Sequence, residues 1–208
     1  MVIKYYCHAC FTLADEKIKI VIDPFGDIGY KQDFIKADLC LCSHLHHDHY
    51  AIDSVEVKEI ITENTQKYSD FITAIATFHD EVGGAKRGKN SIFKIVLDGK
   101  TVCHFGDLGM PFSKKLVNEI GRVDILLIPV GGNYTIDATE AEKYVRAINP
   151  KVVIPMHYKT NRSDIDIAEK QDFLKLFSSS IKMPREFEIS NQLLENGINV
   201  LDIDDSDF

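Results

Sequence analysis

The chain has 208 residues, 45% of them hydrophobic and 27% charged, and a net charge of −8 at pH 7. This length suits one domain spanning 1–208 with its own core, and the composition is that of an ordinary soluble globular protein. Its acidity repels phosphate backbones and makes nucleic acid an unexpected partner. No apolar run approaches the roughly 18–20 residues of a membrane span.

The N-terminus "MVIKYYCHAC" lacks the basic start, apolar stretch and small-residue cleavage site of a signal peptide. Five cysteines, an odd number in strand-like settings, read as free thiols. Both features lead to the expectation of a cytoplasmic protein. Cys7 and Cys10 have redox or zinc spacing, but no second such pair accompanies them.

In chain order, "MVIKYYCHACFTLAD" and "IKIVIDPF" have the β-branched and aromatic content of strands, with a polar turn between them. "DLCLCS" is a short buried strand running into "SHLHHDHY". Strand patterns recur in "EIITEN", "ITAIATFHD", "SIFKIVLDG" and "TVCHFGD", and Asp98-Gly99 between two apolar runs signals a hairpin.

"GMPFSKKLVNEIGRV" predicts a helix with Pro111 in its first turn and Gly121 at its end. "VDILLIPVGG" and "KVVIPMHY" predict buried strands. Between them lies the helix of "DATEAEKYVRAINP", with capping-box spacing at Thr139 and Glu142 and a stop at Asn149-Pro150. "DIAEKQDFLKLFSS" predicts an amphipathic helix with Ile167, Leu174 and Phe177 near one face. "FEIS" and "INVLDI" close the chain as strands, and the acidic end "DIDDSDF" reads as solvated. The economical architecture is α/β, two packed sheets with helices outside.

Four histidines and an aspartate within eight residues need a cause. His44 and His46 have the period-two spacing that puts two imidazoles on one side of an extended chain. Asp48 and His49 follow and can address a second point, while His47 faces away as a spacer. Neutral imidazole and carboxylate are ligands of zinc, and also of manganese or iron. Three further candidates follow strands elsewhere: His79, Asp107 and His157.

HxHxDH, then a His, a Gly-Asp and a final His, in this order, resembles the metallo-β-lactamase-fold superfamily. The resemblance runs from the first strands to about His157. It implies a four-layer αββα sandwich with a dinuclear metal site at one edge of the sheets. By that resemblance His44, His46 and His79 would bind one divalent ion, Asp48, His49 and His157 the second, and Asp107 would bridge them. Zinc is the first expectation, with manganese or iron as alternatives. "IDPF" resembles the family's early strand-end motif, which gives Asp23 a supporting role behind the ligands. "CHACFTL", "HDEVGGAKRGKNSIF", "HFGDLG", "PVGGNYTID" and "IPMHY" are similar to compact metal-dependent hydrolases near the ascorbate-phosphate lactonases.

The expected chemistry is hydrolysis of a small substrate (a lactone, a phosphorylated sugar derivative, another ester or an amide) by a hydroxide held between two ions. Asp48 is the candidate proton acceptor. Candidate substrate contacts are His8 at the rim, Arg87, Lys89 and Asn90 in "KRGKN", Asn133, Tyr134 and Thr135 after a buried strand, and Tyr158. His104 reads as structural. Two alternatives remain: a nuclease or phosphodiesterase of the same fold, for which the chain has no room for a nucleic-acid-gripping arm, and a non-catalytic metal-binding module. A redox diiron protein of this fold is opposed by His46, where such proteins typically carry Glu. Homo-oligomers are compatible with the sequence but unmarked in it.

Overall fold

The computed structural model describes residues 1–30, 33–163, 165–195 and 197–206. Its strands are β1 (Val2–Cys7), β2 (Cys10–Ala14), β3 (Lys19–Ile22), β4 (Ile35–Lys36), β5 (Leu39–Leu41), β6 (Val55–Glu56), β7 (Glu59–Ile61) and β8 (Ile72–Phe78). They continue as β9 (Lys89–Leu97), β10 (Lys100–His104), β11 (Ile125–Pro129), β12 (Val152–Met156), β13 (Ile181–Met183), β14 (Glu186–Glu188) and β15 (Asn199–Ile203). The helices are α1 (Lys114–Ile120), α2 (Ala138–Ile148) and α3 (Lys170–Leu174).

One sheet has the order β14-β1-β2-β3-β5-β7 and the other β13-β15-β12-β11-β10-β9-β8, with β4 and β6 forming a small parallel ribbon. β11 and β12 are buried at every position, as expected of parallel strands covered on both faces. α2 packs on β11, α3 on β12 and α1 on α2, so these helices cover the seven-stranded sheet. The parallel crossovers from β3 to β5 and from β5 to β7 use loops, a 3-10 turn at Ile52–Ser54 and the ribbon, with no α-helix among the described residues. None of the described helices is long and apolar enough to cross a membrane.

Local chemistry sets the element ends. Asp98 and Gly99 both have positive φ, 52° and 69°, which the two-residue hairpin joining β9 to β10 requires. α1 starts at Lys114 because the Ser113 hydroxyl accepts from the Leu116 N–H. Pro111 therefore precedes the helix, where its carbonyl accepts from the Tyr144 hydroxyl at 3.0 Å. Gly121, at φ 64°, ends α1 as expected.

α2 is capped two residues earlier than its spacing predicts. The Asp137 carboxylate accepts from the Glu140 N–H at 2.8 Å, adding negative charge at the positive end of the helix dipole. Asn149 ends it in the left-handed conformation. α3 is shorter than predicted and excludes Ile167. The backbone before it is engaged elsewhere: Ala168 donates to the Gly131 carbonyl, and Glu169 forms a bridge to Lys159.

The acidic end is not simply solvated. Asp202 is buried in β15 and pairs with Lys170 and Lys182. Asp207 and Phe208, the last two residues of that stretch, lie outside the described residues.

Candidate metal centre

Strand direction gathers the chemistry. β1 and β3 each run antiparallel to β2, and β5 is parallel to β3, so β1, β3 and β5 point the same way. In the other sheet β8 and β10 each run antiparallel to β9, and β12 follows the direction of β10 through β11. The residues after these six C-terminal strand ends are His8, Asp23, His44 to His49, His79, Asp107 and His157.

Asp107 stands at the middle. Its Oδ2 is 3.1 Å from His49 Nε2, 3.2 Å from His79 Nε2 and 3.1 Å from His157 Nε2. His44, His46 and His79 converge on one side, while His8, Asp48, His49 and His157 converge on the other. Donors bound to one ion at about 2.0–2.1 Å stand about 3–3.5 Å from each other, which is the spacing around Asp107. His44 and His46 have ring centroids 4.6 Å apart, and His44 lies 4.8 Å from His79.

A second layer sets which nitrogens face inward. The Ser43 hydroxyl donates to Asp23 Oδ2 at 2.7 Å, so its lone pair accepts from His44 Nδ1 at 3.0 Å. His49 Nδ1 donates to the same carboxylate oxygen at 2.9 Å. Asp23 thereby turns the Nε2 lone pairs of both rings toward the cluster, the arrangement that orients histidine ligands. His44 Nε2 and Asp107 Oδ1 are buried in the cluster without a hydrogen-bond partner, and so are His79 Nδ1 and His157 Nδ1 on the far sides of their rings. Each such atom costs about 1–3 kcal/mol if left unsatisfied. The two that face the cluster, His44 Nε2 and Asp107 Oδ1, belong to a nitrogen and carboxylate donor set that fits divalent cations.

The charges are strongly coupled. Burial takes His44 down to about 3 and His8 down to about 4, and neighbouring imidazoles add to both falls. Burial also opposes a charge on His49, yet Asp107 and Asp23 raise it well above the ordinary histidine value. Asp107 is held well below the carboxylate range: burial works against this, and His157 and His49 overcome it. The carboxylates thus hold a proton on His49, and a cation competes with that proton for the same lone pair.

Positive φ concentrates at the site. Asp98, Asn133 and Asn149 have it in turns or a helix end, where Asx residues tolerate it. Cys7, His8, Asp23 and His157 have it beside the cluster, at φ 118°, 55°, 48° and 51°. Backbone strain of this kind persists where surrounding contacts enforce it. Gly106 is required for a further reason: a Cβ there would stand 2.4 Å from Asn90 Oδ1.

The cluster opens onto a cleft of about 760 Å³ lined by His46, Asp48, Asp107 and His157, with Arg87 and Tyr134 on its wall. The Arg87 guanidinium lies 5.1 Å from the Tyr134 ring. Asp80 pins the Arg87 loop by accepting from the N–H groups of Val82, Gly84, Lys86 and Arg87. The acid inside the glycine-rich "HDEVGGAKRG" was the available signal for this turn. The Ser43 relay was signalled only by its position before His44.

Several expected contacts are placed differently. Asn90 is buried: its amide donates to Thr77 Oγ1 and the Phe105 carbonyl, and its oxygen accepts from the Asp107 N–H. It braces the Asp107 turn instead of meeting substrate. Tyr158 is buried against Tyr5 and beneath Lys170, off the cleft. His8 lies beneath the rim, only 2% exposed.

Asn133 ties its loop to the Asp166 carbonyl, Thr135 is buried, and Lys89 pairs with Glu63. His47 is exposed and reaches the cleft, so it is not turned away. His104 is buried, accepting from the Gly106 N–H and meeting the Ala9 carbonyl at 2.9 Å, a structural role.

The family model for the beta-lactamase superfamily domain matches residues 2–157. The chain belongs to that superfamily. Among its relatives, a UPF0173 metal-dependent hydrolase of Thermococcus kodakarensis is 32% identical, with 76% of this chain and 84% of the relative covered. One of Carboxydothermus hydrogenoformans is 30% identical, with 88% and 96% covered. A solved structure of a metallo-β-lactamase superfamily protein from Thermotoga maritima is 34% identical with a TM-score of 0.77, covering 98% of this chain and 99% of that one. The two-sheet α/β sandwich is thus the metallo-β-lactamase fold.

Proposed function

We propose that this protein is a metal-dependent hydrolase of a small substrate, built around two divalent ions. The observation that carries the reading is Asp107 Oδ2, within 3.1–3.2 Å of three histidine Nε2 atoms from separate loops. His44, His46 and His79 would hold one ion, Asp48, His49 and His157 the other, with Asp107 between them. Zinc suits this set first, and manganese or iron are the alternatives. Bound there, the ions would lower the pKa of water and polarise the oxygen under attack.

The chain's own groups supply the rest. Asp23, directly to His49 and through Ser43 to His44, keeps two imidazole lone pairs aimed inward. Asp48 is held ionised although burial opposes it, because His8 and His49 stabilise its carboxylate. At the cleft edge it is placed to accept a proton from the attacking water. Arg87, steadied on Tyr134, faces the same space and suits an anionic group on the substrate. A cleft of about 760 Å³ fits a small molecule.

The test combines metal analysis with a screen of metal-loaded protein against lactones, phosphomonoesters, phosphodiesters and amides. The expected result is two ions per chain and a hydrolysis that chelation abolishes, zinc or manganese restores and His46→Ala removes. Full activity with the metal shown to be gone overturns the proposal. A preference for nucleic-acid phosphodiesters overturns the small-substrate part.

A further inference from the structure

We infer that His8 is a direct fourth side-chain ligand of the second ion, joining Asp48, His49 and His157. This rests on the dinuclear reading above and goes beyond it, because His8 lies outside the HxHxDH, His, Gly-Asp, His pattern. His8 Nε2 is 3.2 Å from His49 Nε2 and 3.3 Å from Asp48 Oδ2, and His49 Nε2 is 3.7 Å from that oxygen. These separations approximate the edges of a coordination polyhedron with bonds of about 2.0–2.1 Å. The His8 ring also lies 4.2 Å from that of His157.

The backbone supports the same assignment. His8 occupies the left-handed region at φ 55°, next to Cys7 at 118°, in the turn between β1 and β2. Three contacts hold it there. The Tyr5 hydroxyl donates to the His8 carbonyl at 3.0 Å, the His157 N–H donates to the same oxygen at 2.8 Å, and His104 Nε2 donates to the Ala9 carbonyl at 2.9 Å. The Gly106 N–H on His104 Nδ1 leaves the proton on Nε2 for that last bond. His8 and His157 are therefore fixed to each other through the main chain before any ion arrives. Such strain, enforced from three sides on a 2%-exposed histidine, aims one ring at one point.

The consequence is an unequal pair of sites. With Asp107 shared, the second ion would have His8, Asp48, His49 and His157, five side-chain donors in all. The first would have His44, His46 and His79, four in all, with His46 exposed to the cleft. The first ion would then have fewer protein donors and a ligand exposed to the cleft, which makes it the more accessible to water or substrate, and the second would be the more completely enclosed by the protein.

The experiment is a chelator competition on full-length protein loaded with zinc, together with the absorption spectrum of the cobalt(II)-loaded form. His8→Asn is the primary variant, because Asn tolerates the left-handed backbone but is too short to reach the ion. The expected result is that one of two ions is weakened about 100-fold or more, the other is unchanged, and the cobalt spectrum of one site changes. His8→Gln, which can still donate a hydrogen bond to Asp48, should show the same loss. Unchanged affinities and spectrum in His8→Asn, or wild-type affinity restored in His8→Gln, overturn the inference while leaving the dinuclear reading intact. A wild-type protein that binds no ion overturns both.

Discussion

The charges buried beside β15 and those buried around Asp107 are solved in opposite ways. Beside β15, Lys170 Nζ meets Asp202 at 2.9 Å, Asp205 at 2.8 Å and the Ile203 carbonyl at 2.6 Å, while Lys182 meets the other Asp202 oxygen. That group is neutralised by its own members. At the strand ends around Asp107, the donors point lone pairs at one another, and His44 Nε2 and Asp107 Oδ1 have no partner of opposite kind to satisfy them. A closed ion group serves the fold, whereas an open one calls for a cation from outside.

The largest expected effect comes from breaking the open group at its centre. Asp107→Asn should lower kcat/KM by about 10³-fold or more, about 4 kcal/mol of transition-state stabilisation, in a chain that still melts cooperatively. Retention of activity within about tenfold would remove Asp107 from the centre.

Breaking the closed group should do the reverse. Lys170→Ala leaves Asp202 and Asp205 with a lost buried partner and should cost roughly 3 kcal/mol in denaturant unfolding, with metal content unchanged. A smaller effect follows at the support of the open group: Asp23→Asn should weaken ion binding about 10–100-fold, read by chelator competition. Equal affinity in that variant would deny Asp23 its orienting role.

The smallest effect is in the acid limb of stability. Asp202 is held below the ordinary carboxylate value: burial opposes this, and Lys182 and Lys170 overcome it. Its folded pKa lies below its unfolded one, so its contribution is full above the unfolded value and fades as pH falls through the lowered one. Asp202→Asn should therefore flatten the loss of stability below about pH 4, measured by melting across pH. An unchanged acid limb would show that this pair contributes nothing there.

Much of the fold could be read from the chain because its signals are local. β11 and β12 announce themselves as apolar runs, and Asp98-Gly99 marks its own hairpin. Short pieces such as β4, β6 and β13 have two or three residues each, too few for a period to show. The α2 cap was misplaced because Thr139 and Asp137 both offer a capping oxygen, and only the chain path decides which is used.

The site divides along the same line. "SHLHHDHY" made a cation expected, and the order of His79, Asp107 and His157 named the remaining candidates. Asn90 and Tyr158 were misjudged because proximity in sequence to His79 and His157 does not fix which way a side chain turns. Residue types and their spacing by themselves determined the family, the donor chemistry and most of the candidate ligands, since those depend on identity and local order. Tertiary structure alone decided that His8 lies among Asp48, His49 and His157, that Asp23 orients two rings at once, and that Asn90 braces Asp107. Those facts depend on strand direction and on backbone conformation at a few strained residues, and they arise only when six strand ends from two sheets meet.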